Sequence, residues 1–87
     1  TKNEKIIKDS IFKYSIKIAD FYYKASAETM VNRIISETSI ADPSIKKLTS
    51  TKYRVLLGPF NDIKKLEESF NNIKLLNFEN LEILKDV

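Results

Sequence analysis

Residues 53–60 read Tyr-Arg-Val-Leu-Leu-Gly-Pro-Phe, and residues 14–21 read Tyr-Ser-Ile-Lys-Ile-Ala-Asp-Phe. In both stretches apolar side chains recur at every second position, the period of a strand with one buried face. Tyr14, Ile16 and Ile18 fall on one side of the first strand, with Lys13, Ser15 and Lys17 opposite. Tyr53, Val55 and Leu57 fall on one side of the second, with Lys52, Arg54 and Leu56 opposite. The Gly58-Pro59 pair is expected to stop this second strand.

The two stretches are copies of one another. An offset of 39 residues carries Tyr14, Ile16, Ile18 and Phe21 onto Tyr53, Val55, Leu57 and Phe60. The same offset carries Ala27, Val31 and Ile34 onto Leu66, Phe70 and Ile73. Those positions are the apolar stripes of two helices, so the repeated unit is strand–helix–strand. Ser26 reads as the N-cap of the first helix, which takes in Met30 and Ile35 and ends near Thr38. Asn61 reads as the cap of the second, with Ile63 on its apolar stripe. Asp42-Pro43 marks a loop and Ser50-Thr51 a turn, with a short strand at Ile45–Thr49 between them. A last strand is expected at Leu81–Lys85, with Leu81 and Ile83 facing inward. The order β-α-β-β-α-β predicts an α+β fold: a four-stranded antiparallel sheet carrying both helices on one face, as in ferredoxin-like domains. The other face is open to solvent, and a site is expected there. Residues 12–87 form the domain in this reading, and the charged residues 1–11 a linker or loosely attached segment.

Composition narrows the chemistry. The chain has 87 residues, enough for one domain, with 43% hydrophobic and 31% charged residues and a net charge of +3. It has no cysteine and no histidine. That removes thiolate zinc sites, Cys–His pairs and Ser–His–Asp triads. A single glycine leaves nothing to build a phosphate-cradling loop. No enzyme activity, cofactor or metal is therefore expected. No run of about 18 apolar residues is available to span a membrane. The polar start at Thr1 reads as a domain cut from a longer protein, with any targeting segment upstream.

Arg54-Val55-Leu56-Leu57-Gly58-Pro59-Phe60 contains the R-V-x-x-G-P-F pattern of sporulation-related repeat (SPOR) domains, which the chain resembles from Tyr14 almost to its end. The resemblance implies a non-catalytic module of the periplasm or cell surface, attached to division or cell-wall proteins. It would bind peptidoglycan glycan strands that have lost their stem peptides and so localise its parent protein. It would be monomeric, and would reach a membrane only through another part of that parent. The first strand departs from the family pattern: the usual Gln falls on Lys17, the Gly on Ala19 and the Ser on Asp20. An exposed aromatic that often precedes the motif arginine falls on Lys52, and Arg54 alone is kept in kind. The candidate glycan-binding residues are Lys17, Asp20, Tyr22, Lys52, Arg54 and Leu56, with Tyr22 and Tyr23 offering aromatic rings from the rim. With cations where the family has neutral groups, binding is expected to be salt-sensitive.

Plainer roles exist for each. Arg54 can pair with Glu82 across the sheet, Lys17 and Lys52 can be solvated, and Asp20 can shape a turn. Of Tyr22 and Tyr23, one can pack under the helix while the other is exposed. Gly58 fits a backbone role, through positive φ or close approach. Glu67-Glu68 belongs to a solvated helix face. An RNA-binding sheet of the same topology needs aromatics on the open face of its central strands, where this chain has Lys13, Ser15, Lys17, Lys52, Arg54 and Leu56; no nucleic-acid partner is expected. Leu56 and Leu84 on the open face suit a protein contact, the main alternative.

Overall fold

The computed structural model describes residues 13–40 and 42–85. The expected linker at residues 1–11 and Phe12, the first residue of the expected domain, lie outside them. Strand β1 (Tyr14–Phe21) leads into helix α1 (Lys24–Glu37), and strands β2 (Ser44–Thr49) and β3 (Lys52–Phe60) follow. Helix α2 (Ile63–Lys74) and strand β4 (Glu82–Lys85) complete the order β-α-β-β-α-β. The sheet runs β2-β3-β1-β4 with every neighbour antiparallel. The two repeats therefore interleave: β3 sits between β1 and β2, and β1 between β3 and β4.

The alternating residues make the core. Ile16, Val55, Ile34 and Ile73 are each 0% exposed, and Ile18, Leu57, Ala27 and Leu66 close around them. Both helices lie on this one face, α1 over β1, β2 and β3, and α2 over β3 and β1. The outer strand β4 is less well covered, and Ile83 on its helix-facing side remains 49% exposed. Leu81 packs against the core from just before β4, so this strand starts one residue later than its apolar pattern suggests.

The helix starts differ from the expected ones, and the repeat explains how. Helix α1 begins at Lys24 with Tyr23 as its N-cap, not Ser26, and no side chain caps it. Helix α2 is capped by Asp62, not Asn61; its carboxylate accepts a 2.8 Å hydrogen bond from the Lys64 amide. Such a cap contributes about 1 kcal/mol. Tyr23 and Asp62 are again 39 residues apart, so the helices start in register even though only one cap has a suitable side chain. At the other end of α1, Thr38 folds back. Its amide and hydroxyl both donate to the Ile34 carbonyl, at 3.1 and 2.7 Å, and close the last turn.

Two irregularities interrupt the central β1–β3 ladder. Between Tyr14 and Ile16 the partner shifts from Phe60 to Leu57, so β3 has one residue more than β1 there. Gly58 occupies this bulge with φ +108°, a conformation that favours glycine, and it precedes a cis Pro59. The strand consequently continues through Gly58-Pro59 to Phe60, where the dipeptide was expected to end it. Between Lys17 and Ala19 the extra residue lies on β1 instead: Lys17 opposes Leu56 and Ala19 opposes Val55.

Candidate functional site

This second bulge assembles the site. Strict alternation puts Asp20 on the same side as Ile16 and Ile18, against the helices. With both Ile18 and Ala19 turned to the core, Asp20 emerges on the open face directly opposite Arg54. Bulges commonly re-aim a side chain in this way.

The Asp20 carboxylate is the hub of a charged network. Arg54 donates to it twice, Nε to Oδ1 at 2.8 Å and Nη2 to Oδ2 at 3.1 Å. Lys52 Nζ lies 3.8 Å and Lys17 Nζ 4.0 Å from the same Oδ2. Lys17 also donates to Glu82 Oε1 at 2.7 Å, across from β1 to β4. Arg54 thus pairs with Asp20, and the expected partner Glu82 takes Lys17. The Lys17, Asp20 and Arg54 side chains are only 19–22% exposed, whereas Lys52 and Glu82 are at least half exposed. Three cations face two anions, leaving one net positive charge.

The charge states follow from these contacts. The Arg54 hydrogen bonds hold the Asp20 carboxyl below its ordinary value of 3.8 against some opposing burial, with the Arg54, Lys17 and Lys52 charges adding to the effect. The Lys17 hydrogen bond lowers Glu82 from its ordinary 4.5. The hydrogen bonds to Asp20 in turn raise Arg54 above its ordinary value. A carboxylate whose folded pKa is depressed stabilises the fold above its unfolded pKa and loses that contribution as pH falls through the folded value. The Asp20–Arg54 pair is therefore intact at neutral pH; its contribution starts to fall near the ordinary carboxylate value of 3.8 and is lost as pH drops through the lower folded value. In thermal melts at pH 3 and pH 7, the wild type is expected to lose more stability on acidification than Asp20→Asn. Equal losses would mean that the pair stabilises nothing.

Two clefts flank the hub. One, of about 330 Å³, is lined by Asp20, Phe21, Tyr22, Thr49, Thr51 and Lys52. The Tyr22 ring, 78% exposed, forms its rim; Tyr23 is exposed as well, so neither tyrosine packs under the helix. The other, of about 320 Å³, runs across the sheet between Arg54, Leu56 and Leu84, with Ser15 and Lys46 among its lining. Leu56 is half-buried and lies opposite Lys17. All six candidate residues thus share the open face or its rim: Lys17, Asp20, Lys52 and Arg54 as one network, Leu56 and Tyr22 beside it.

Lys46 belongs to this face too and was not expected there. It lies opposite Arg54 on β2, and Ile45, opposite Val55, faces the core. In Ser-Ile-Lys-Lys-Leu-Thr the apolar residues stand three apart, so no clean alternation flags Lys46. Among the described residues no cluster of acidic side chains is suited to holding a metal ion.

The family model of the SPOR domain matches residues 12–80. No curated protein and no solved structure matches the chain.

Proposed function

Because the chain belongs to the SPOR domain family, we propose that it binds peptidoglycan glycan strands stripped of their stem peptides. The family is one of peptidoglycan-binding domains in bacterial envelope and cell-division proteins. The observation that carries the reading in this chain is the Lys17–Asp20–Lys52–Arg54 network on the open sheet face, flanked by a cleft that Tyr22 rims.

The chemistry matches a denuded strand. Cutting the amide that joins a stem peptide to its sugar leaves a lactyl carboxylate on the glycan. A carboxylate of this kind is a charge-assisted partner for Arg54, Lys17 and Lys52, a contact of about 1.5–3 kcal/mol. The two hydrogen bonds to Asp20 use Nε and Nη2 of Arg54, so other N–H groups of the guanidinium remain to donate to sugar hydroxyls and acetamido oxygens. Asp20 and Glu82 can accept from sugar hydroxyls. Leu56 offers an apolar patch to an acetamido methyl, and Tyr22 a ring for a sugar face to stack on. The open-face positions of β1 and β3 are polar or aliphatic, which favours this partner over stacked nucleic-acid bases.

In this reading the domain catalyses nothing and takes no cofactor. It acts as a monomer outside the cytoplasm and localises the protein it belongs to. Residues 12–87 are the binding unit, and residues 1–11 tether it.

Co-sedimentation with bacterial sacculi tests the proposal, before and after an amidase removes the stem peptides. Wild-type protein is expected to pellet more on the stripped sacculi, and Arg54→Ala to lose roughly tenfold or more in affinity. If nothing pellets on either substrate, the glycan reading fails and the Leu56–Leu84 surface becomes the place to seek a protein partner.

A further inference from the structure

Resting on that reading, we propose that Asp20 is an internal stand-in for the ligand. Its carboxylate occupies the position on Arg54 and Lys52 that a glycan carboxylate takes, so binding exchanges one carboxylate for another.

Three observations converge on Asp20. First, every cation of the network reaches it: Arg54 by two hydrogen bonds, Lys52 at 3.8 Å and Lys17 at 4.0 Å. Glu82 by contrast is 2.7 Å from Lys17 and more exposed, so it covers one cation at the margin. Second, Asp20 stands between two clefts. It lines the one rimmed by Tyr22 and also a third, of about 460 Å³, in which Lys17, Asn77 and Asn80 take part. An anionic sugar in either cleft lies beside this carboxylate as well as a cation paired with it, Lys52 in the first and Lys17 in the third. Third, the bulge at Ile18–Ala19 exists in the backbone, so Asp20 is held on the open face by strand geometry as well as by charge.

The consequence concerns specificity. A neutral saccharide has no group that replaces a carboxylate on arginine, and it meets Asp20 as a hydrogen-bond acceptor. An acidic saccharide must displace Asp20, and it gains only the difference between two similar contacts. Asp20 therefore lowers the affinity for acidic glycan and keeps the net charge of the network at one. Removing its charge raises that to two, with a stronger dependence on salt.

The probes are a stem-peptide-free glycan oligosaccharide with free lactyl carboxylates and the same oligosaccharide with those carboxylates converted to methylamides. Binding of each is measured by calorimetry at two salt concentrations, for wild type, Asp20→Asn and Asp20→Ser, all first shown to be folded by circular dichroism. Two different replacements guard against a local defect in one of them. The expected result is a gain of roughly five- to tenfold for the acidic oligosaccharide in both variants. The gain shrinks as salt rises, and the methylamide shows none. If the wild type binds the acidic glycan and the variants bind it equally or more weakly, Asp20 is a direct glycan contact and the exchange is wrong. If neither the wild type nor the variants bind either probe, the glycan reading itself has failed.

Discussion

Ile34→Ala and Ile73→Ala are each expected to lower the unfolding free energy by about 2–5 kcal/mol, measured by denaturant titration. A domain of this size has a net stability of only roughly 5–10 kcal/mol, so either change brings it near unfolding at 37 °C. Both side chains are 0% exposed, and both belong to the one core between the helices and the sheet. They also occupy equivalent positions in the two copies of the repeat. The losses should therefore be similar, and this is the stricter part of the prediction. Ile35→Ala is the control, on the same helix but 47% exposed, and should cost much less. A small loss at Ile73 beside a large one at Ile34 would show that α2 contributes little to the common core.

Gly58→Ala is expected to cost about 1–3 kcal/mol, the scale of a non-glycine residue forced into a positive-φ position. The cost has two sources. The backbone at φ +108° is one that side chains with a Cβ rarely adopt. A Cβ there would also lie 3.0 Å from Phe60 Cδ2 and 3.1 Å from both Cε2 and the Phe60 amide nitrogen. Phe60 is partly buried against the core, so its ring cannot simply swing into water. The damage should extend to binding, because Gly58 lines the cleft shared with Arg54 and Leu56. A melt of Gly58→Ala within a degree of wild type would mean that the bulge relaxes freely and that the backbone there does not need a glycine.

The expectation of salt-sensitive binding takes a different form once the contacts are known. Lys17, Lys52 and Arg54 look like a bare cationic cluster when alternation alone places them on one face. In the folded protein Asp20 and Glu82 neutralise most of it. Screening by salt weakens the internal pairs as well as those with a ligand, so the wild-type salt dependence should be modest and that of Asp20→Asn larger.

The sequence by itself determined the core, the fold and the open face on which the candidate cations lie. Period-two stretches at residues 14–18 and 53–57, period-3.6 helices and a 39-residue offset leave few ways to bury Ile16, Val55, Ile34 and Ile73 together. Those signals are local and are written in which residues are apolar. The 39-residue offset even contained the helix starts at Tyr23 and Asp62, which capping preferences applied to each helix separately placed elsewhere. The partners within the site were decided only by the tertiary structure. Whether Asp20 faces the helices or Arg54 depends on one extra residue in β1 relative to β3, and a bulge is a property of two paired strands, not of either strand's pattern. Lys17 likewise meets Glu82, 65 residues away, because β4 docks beside β1 in one register. A one-residue slip turns every side chain to the other face, so the charges of this site have their meaning only after the strands have paired.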